Sequence, residues 1–213
     1  YQAFYAITAR LTTPDGKPAN AVYGFTRMLQ KLLREHHPEY VVVVFDTNWA
    51  THRHTSYREY KANRQPTPDE LQVQIPLIYK VVRAYNIPVY AAKGYEADDL
   101  IGTLVKLLSD KPIEVIIVTL DKDMEQLLCP QVKILNTKKG AMIDSESLLR
   151  EKGIRPEQVV DVFALSGDAS DNVPGVPGIG DKKALELIKK WGSLETVLAN
   201  VNNIPGKKRQ ENL

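Results

Sequence analysis

The sequence predicts an α/β fold with a mainly parallel sheet, followed by a smaller helical region. Three observations carry this. The runs Tyr40-Val41-Val42-Val43-Val44-Phe45-Asp46 and Glu114-Val115-Ile116-Ile117-Val118-Thr119 are β-branched and unbroken, the pattern of strands buried on both faces of a parallel sheet. Around them apolar residues recur at helical spacing. Beyond about residue 153 such runs stop, and helices separated by Gly- and Pro-rich turns take over. The division predicts a core over residues 1–153 and a second region over 154–213.

The elements follow in order. Residues 1–13 read as the end of a helix entering a loop, and Pro14-Asp15-Gly16 as a turn. Val22, Phe25, Leu29 and Leu32/Leu33 predict an amphipathic helix from Asn20 to about His36, stopped by Pro38. The first strand ends in Asp46, and ligands of open α/β sheets bind at that carboxyl end. Residues 47–68 are polar and aromatic, a long connection of the kind that is functional or disordered. Lys61 and Arg64, three apart, are placed on one helical face there. Thr67 reads as the cap of a helix begun by Pro68, with Leu71, Ile75, Ile78 and Val82 inward and a kink at Pro76. A short strand over Val89–Ala91 leads to Tyr95-Glu96-Ala97-Asp98-Asp99, where a helix starts at the acids. Glu96 and Asp99 would share one face of it.

The second long strand ends in Leu120-Asp121-Lys122-Asp123, whose two acids, two apart, are able to point the same way. Val132–Leu135, a Lys138-Lys139-Gly140 turn and Ala141–Ile143 predict a hairpin or edge pair. Asp144 opens a short helix to about Lys152. Pro156 sits early in another, with Val159, Val160, Phe163 and Leu165 buried. Gly167 to Gly180 is a turn-rich stretch holding Asp168 and Asp171. A helix follows over Asp181–Trp191, with Ala184, Leu187, Ile188 and Trp191 on one face. Gly192 ends it and Ser193 starts the next.

Composition sets bounds. Of 213 residues 43% are apolar and 25% charged, with net charge +2, as in a globular protein with a sizeable core. The single cysteine, Cys129, excludes an internal disulfide and reads as a buried thiol in a reducing compartment. No apolar run is long enough to span a membrane, and no signal peptide is legible. The chain begins at Tyr1 rather than Met.

Chemistry gathers in Asp46, Glu96, Asp98, Asp99, Asp121, Asp123, Asp168 and Asp171. Carboxylates crowded in one pocket raise each other's pKa, and hard divalent cations relieve the repulsion. All-oxygen ligation suits Mg2+ or Mn2+, and two ions about 4 Å apart suit phosphodiester hydrolysis. Basic residues stand apart from the acids. Arg53, Arg58, Lys61 and Arg64 interleave with Tyr57 and Tyr60, a pattern for phosphate contact plus base stacking. Gly178-Ile179-Gly180 before a helix leaves backbone N–H groups bare, with Lys182 and Lys183 beside them, a phosphate cradle. His52 and His54 lack partners at ligand spacing and are set aside as metal ligands.

Five blocks then carry a resemblance. Phe45-Asp46, Tyr60-Lys61-Ala62-Asn63-Arg64, Gly94-Tyr95-Glu96-Ala97-Asp98-Asp99, Asp121-Lys122-Asp123, and Gly167-Asp168 through Asp171-Asn172-Val173-Pro174-Gly175-Val176-Pro177-Gly178-Ile179-Gly180 stand in family order. The sequence resembles the 5′-nuclease (5′-3′ exonuclease) domain family of bacterial DNA polymerase I, within the flap endonuclease superfamily, over essentially its whole length. The resemblance implies a PIN-like nuclease core with a helical arch at about 47–68, then a helix-hairpin-helix subdomain of the helix-three-turn-helix kind. It implies a first metal on Asp46, Glu96 and Asp98, and a second on Asp98 or Asp99 with Asp121, Asp123, Asp168 and Asp171. It implies that Lys61 and Arg64 steer the scissile phosphate as catalytic residues. Arg53, Arg58 and Tyr60, the loop Gly175, Val176, Gly178, Ile179 and Gly180, and Lys182 and Lys183 would bind DNA, with K+ held by loop carbonyls.

The implied activity is removal of 5′ flaps and 5′-end nucleotides from DNA, RNA primers included, in replication and repair. The implied protein is a monomer without a membrane partner, in the bacterial cytoplasm or an organelle interior, with or without a polymerase domain after Leu213. Three departures bear on this. The family's first strand, with its metal-binding Asp, would lie before Tyr1. Gln2 and Tyr5 stand where relatives carry Arg and His, and Asn48 where they often carry Lys. The alternative is therefore a DNA-binding domain of the same fold with impaired catalysis. A PIN-type ribonuclease and a small-molecule phosphatase fit less of the sequence. Steep salt dependence of duplex binding would separate a DNA-binding protein from a phosphatase.

Overall fold

The structure is a computed structural model, and it describes residues 1–7 and 11–213. In chain order it contains α1 (Gln2–Ala6), α2 (Asn20–His36), β1 (Val43–Val44), α3 (His52–Ser56), α4 (Asp69–Gln72), α5 (Ile75–Ala84), β2 (Val89–Tyr90), α6 (Ala97–Leu108) and β3 (Val115–Val118). A 3-10 turn over Lys122–Leu127 follows, then β4 (Val132–Asn136), β5 (Ala141–Ile143), α7 (Ser145–Lys152), α8 (Val159–Ser166), β6 (Gly167–Asp168), β7 (Val173–Pro174), α9 (Asp181–Trp191), α10 (Leu194–Ala199) and α11 (Lys207–Asn212). The expected loop over 1–13 falls partly on residues 8–10, outside the described residues.

The chain forms two compact units. The first comprises Tyr1–Trp49 and Gln65–Ala97. Its β1 and β2 pair in parallel, Val43 against Val89 and Val44 against Tyr90. Leu29, Val82 and Ile87 pack with Phe25, Val41, Val43 and Val89 to make one apolar cluster, and Ala21, Leu71 and Ile78 make another with Phe4, Phe45 and Ile75. The predicted strand over Tyr40–Asp46 shrinks to Val43–Val44, and Tyr40 is 74% exposed. Among the described residues β1 has β2 as its single hydrogen-bonded neighbour; Phe45 N adds a bond to Tyr90 O at 2.9 Å, Val41 is held by packing, and Val42 is exposed.

Two helix boundaries also differ from expectation. Pro68 stands at the N-cap of α4, and Thr67 accepts or donates a hydrogen bond with the Tyr1 hydroxyl instead of capping. Pro76 does not kink a continuous helix; it occupies the first turn of α5, where its missing N–H costs nothing.

The residue that organises this region is Gln74, fully buried at 0% exposure between those helices. Helix α2 starts at Ala19 without a side-chain cap. Gln74 Oε1 fills the role from a distance, accepting from Ala21 N at 2.8 Å and Val22 N at 3.2 Å. Its Nε2 donates to Asn20 Oδ1 (3.0 Å) and to Glu70 O (2.8 Å). Replacing Gln74 by Ala removes four hydrogen bonds and leaves bare N–H groups at a buried helix start. The expected cost is about 3 kcal/mol, read as a lowered urea midpoint with an unchanged m-value.

The second unit comprises Ala50–Arg64 and Asp98–Leu213. Here β3 pairs with β4 in parallel, and β4 with β5 antiparallel as the predicted hairpin. Its core gathers Ile117, Met124, Ile134, Leu148, Val162, Leu165, Leu187, Ile188 and Val197. Asp144 caps α7 through Ser147 N (2.8 Å), and Gly153 closes it at φ 69°. In α8 the inward stripe is Val159, Val162 and Leu165, while Val160 is 53% exposed. A stripe at spacing three turns Val160 outward. Cys129 is half-buried against this core rather than enclosed by it. Helix α9 spans Asp181–Trp191 as predicted, closed by Gly192 at φ 90°.

Candidate metal and nucleic-acid site

The acids divide between the two units. In the first, Asp46 follows β1 and Glu96 precedes α6. Asp46 Oδ1 accepts from Ala97 N at 2.7 Å, so the first free N–H of α6 is capped by a carboxylate. Glu96 is 7% exposed and lies before the helix begins, so it does not share the helical face expected with Asp99.

The second unit holds Asp98, Asp99, Asp121, Asp123, Asp168 and Asp171. Asp98 and Asp99 stand in the first turn of α6. Asp121 ends the loop after β3 and caps the 3-10 turn, its Oδ1 accepting from Asp123 N at 3.0 Å. Asp168 ends β6, and its Oδ1 accepts from Ser170 N (2.7 Å), Ser170 Oγ (2.5 Å) and Asp171 N (3.4 Å). Burial works to raise the pKa of Asp168, but the hydrogen bonds from Ser170 outweigh it and hold the carboxyl below its ordinary value.

Asp123 is the electrostatic centre. Burial first, then the charges of Asp121, Asp168 and Asp171, push it up to about 6. Its Oδ1 is buried and has no hydrogen-bond partner. A buried carboxylate oxygen without a donor, facing three more carboxylates, is the chemistry a hard divalent cation relieves. The donor set therefore fits such an ion. Among the described residues, however, no group of three His, Cys, Asp or Glu side chains already stands in position to hold one.

Cations of the chain itself occupy the acids. Arg53 grips Asp99 with two parallel bonds, 2.8 and 2.7 Å. Arg64 Nη2 lies 2.5 Å from Asp171 Oδ1, and Lys61 Nζ 3.7 Å from Oδ2. Lys122 Nζ is 3.9 Å from Asp168 Oδ2. Lys61 and Arg64 reach Asp171 from consecutive turns rather than from a helix, and Lys61 sits at φ 56°. Arg58 is exposed. Tyr60 is 7% exposed; its hydroxyl donates to Asp171 Oδ2 at 2.8 Å, so its ring is enclosed rather than open to stacking.

Asp123 also makes the metal-free fold pH-dependent. Its folded pKa is raised, so the native state holds a proton that the unfolded chain releases. Stability is lost as pH rises from the ordinary carboxylate range through about 6. Asp123→Asn removes this penalty. The variant is expected to be more stable than the wild type by about 1 kcal/mol at pH 7.5 in chelator, a figure discounted for partial solvent screening. The advantage should vanish below pH 4. Thermal melts at both pH values check it.

The loop before α9 is built differently. Ile179 is buried and anchors it, and Val176 packs half-buried against the same core. Gly178 has φ 84°. Gly180 is the N-cap of α9 at an ordinary φ of −92°, and a Cβ there would meet nothing within 4 Å. Neither packing nor a positive φ requires glycine at 180, and glycine is a common N-cap residue. Lys182 is exposed beside it, and Lys183 pairs with Glu186 at 2.9 Å. Gly175 is glycine for another reason: its Cβ would lie 2.2 Å from Ser166 C and 2.4 Å from Gly167 N. The packing roles of Gln74 and Gly175 were not legible in the sequence.

Comparison with known proteins bears on these features. Residues 1–153 match the 5′-3′ exonuclease N-terminal resolvase-like domain, and residues 154–213 the 5′-3′ exonuclease C-terminal SAM fold. The chain is 46% identical to DNA polymerase I of Bacillus caldotenax over 218 residues, covering 100% of this chain and 25% of that protein. It is 41% identical to a 5′-3′ exonuclease of Aquifex aeolicus over 200 residues, covering 94% of this chain and 69% of that protein. The chain thus spans about a quarter of the polymerase relatives' length. Its fold is similar to that of the T5 5′-exonuclease with divalent metal ions (zinc) bound, at TM-score 0.74 and 24% identity, covering 89% of this chain and 74% of that one. It is also similar to the catalytic core of Rad2 in complex with DNA substrate, at TM-score 0.59 and 23% identity, covering 99% and 64%.

Proposed function

This chain belongs to the 5′-3′ exonuclease family, and from that premise we propose that it is a metal-dependent, structure-specific 5′-nuclease that removes 5′ flaps and 5′-end nucleotides from DNA, RNA primers included. The observation that carries the reading is the buried, unpartnered Asp123 oxygen amid Asp121, Asp168 and Asp171, with Lys61 and Arg64 at its border. We assign one Mg2+ or Mn2+ to Asp121, Asp123, Asp168 and Asp171 with Asp98 or Asp99. A second goes to Asp46, Glu96 and Asp98. Bound there, the ions would activate water and stabilise the charge of the leaving oxygen.

The chain's own residues do the rest. Lys61 and Arg64 hold the scissile phosphate, and Arg53 and Arg58 its neighbours. The N–H groups around Val176–Gly180, with Lys182 and Lys183, grip the duplex backbone, and loop carbonyls there suit K+. Gly180 supports this grip, because open space beside its Cα leaves the backbone approachable. Residues 1–153 form the nuclease core and 154–213 the duplex-binding subdomain, a division supported by the two matched ranges. The polymerase relatives support a place beside, or fused to, a polymerase domain, and we take the protein to work as a monomer in the cytoplasm. No helix is long and apolar enough to cross a membrane among the described residues.

The test is cleavage of end-labelled 5′-flap DNA by the full-length protein in magnesium and in calcium. Magnesium-dependent cutting near the flap junction is expected. Tight, salt-sensitive binding without cutting in magnesium or manganese overturns the nuclease and leaves a DNA-binding relative.

A further inference from the structure

Residues 59–64 and 168–172 are joined crosswise. Asn63 Nδ2 donates to Ala169 O at 2.9 Å, and Asn172 Nδ2 donates back to Glu59 O at 2.7 Å. Between them the Lys61 amide donates to Asp171 O at 2.8 Å, and Arg64 Nε to Ser170 O at 3.3 Å. Two non-glycine residues hold left-handed backbone for this: Lys61 at φ 56° and Asn172 at φ 58°. Such conformations cost on the order of 1 kcal/mol each and persist where the surroundings impose them. Here the reciprocal amide bonds impose them. The side chains that emerge are the ones on Asp171: the Tyr60 hydroxyl and Lys61 ammonium on Oδ2, and the Arg64 guanidinium on Oδ1.

We infer that Asn63 and Asn172 are positioning residues for the reaction: they clasp the basic segment 59–64 onto the loop that carries Asp168 and Asp171. The inference rests on the nuclease reading above and adds residues to it. Neither amide touches the acids. Each bonds a main-chain carbonyl of the opposite segment, so the pair fixes where Lys61 and Arg64 stand relative to Asp171. A phosphate held by those two cations is then presented at a fixed distance from the acid cluster. A displacement of about 1 Å in such an arrangement costs about 100-fold in rate. The clasp acts on geometry and adds no charge to the grip on DNA, so its loss should appear in kcat and leave affinity alone.

The variants are Asn63→Ala, Asn172→Gly and the pair. Asn172→Gly keeps the left-handed backbone and removes only the amide. Three readouts are taken on the full-length protein: hydrogen exchange of the Lys61 amide, equilibrium binding of flap DNA in calcium, and single-turnover cutting in magnesium. The pair is expected to speed Lys61 amide exchange at least 10-fold and slow cutting at least 10-fold, with flap affinity within twofold of wild type. Cutting at the wild-type rate by the pair overturns the clasp, and so does a rate loss matched by an equal loss of affinity. If the wild-type protein itself does not cut, the nuclease reading has failed, and the positioning role falls with it.

Discussion

Replacing Asp121 and Asp123 together by alanine is expected to lower magnesium-dependent cutting of a 5′-flap DNA at least 1000-fold, a loss of about 4 kcal/mol of transition-state stabilisation. Two of the four acids of the cluster, Asp123 itself and its neighbour Asp121, disappear, and with them much of the attraction for a divalent cation. Loss of outer-shell support alone commonly costs 10- to 100-fold in metal-dependent activity, so loss of the two proposed ligands is expected to exceed that. Flap binding in calcium should survive, because the basic segment and the loop before α9 are untouched. The variant should also melt at a higher temperature than the wild type in chelator, since it removes the carboxyl that burial and then repulsion push up. Activity down and metal-free stability up is a signature no general misfolding produces.

Gly175→Ala is expected to cost at least 3 kcal/mol of stability. The new methyl would stand 2.2 Å from Ser166 C, 2.4 Å from Gly167 N and 2.4 Å from Ser166 O, all main-chain atoms that no rotamer change moves aside. Gly167 returns the contact, its own Cβ position lying 2.3 Å from Gly175 N. These two glycines let the backbone at the start of β6 and the end of β7 approach closely in a crossing of main-chain segments beside the antiparallel pair, and Asp168 and the loop bearing Asp171 lie within that hairpin. Overpacking against side chains costs about 1–3 kcal/mol, and against fixed backbone the upper end or beyond applies. For a chain of this size that is a fall in Tm of about 6–12 °C. Gly178→Ala is the control. It has no close neighbour, only φ 84°, so its cost is limited to about 1–2 kcal/mol of backbone strain. Equal losses for the two would mean that backbone conformation, not the crossing, decides the fold there.

Much of this was legible in the residues, and the misses share a cause. Helix α9 and its glycine stop, the β4–β5 hairpin and the Asp144 cap rest on local pattern, which sequence states directly. The long valine run read as a fully buried strand because composition does not say how many neighbours a strand has. Lys61 and Arg64 read as helical because spacing alone cannot distinguish one helical turn from two successive tight turns. The turns are set by partners more than a hundred residues away, Ala169 to Asn172. Gln74 is a buried cap that no local pattern signals, for the same reason. The acids themselves stood out, but not that Arg53, Lys61, Arg64 and Lys122 already neutralise them. Charge partners across a fold leave no trace in spacing.

The central claim is that the acids around Asp123 hold a divalent cation. It is tested most directly by counting Mn2+ bound to the full-length protein from the fall in the electron paramagnetic resonance signal of free Mn2+, with the Asp121→Ala/Asp123→Ala variant measured alongside. The account predicts that the wild type binds Mn2+ and that the variant loses at least one ion, or binds it at least 100-fold more weakly. Equal stoichiometry and equal affinity for the two proteins would contradict it.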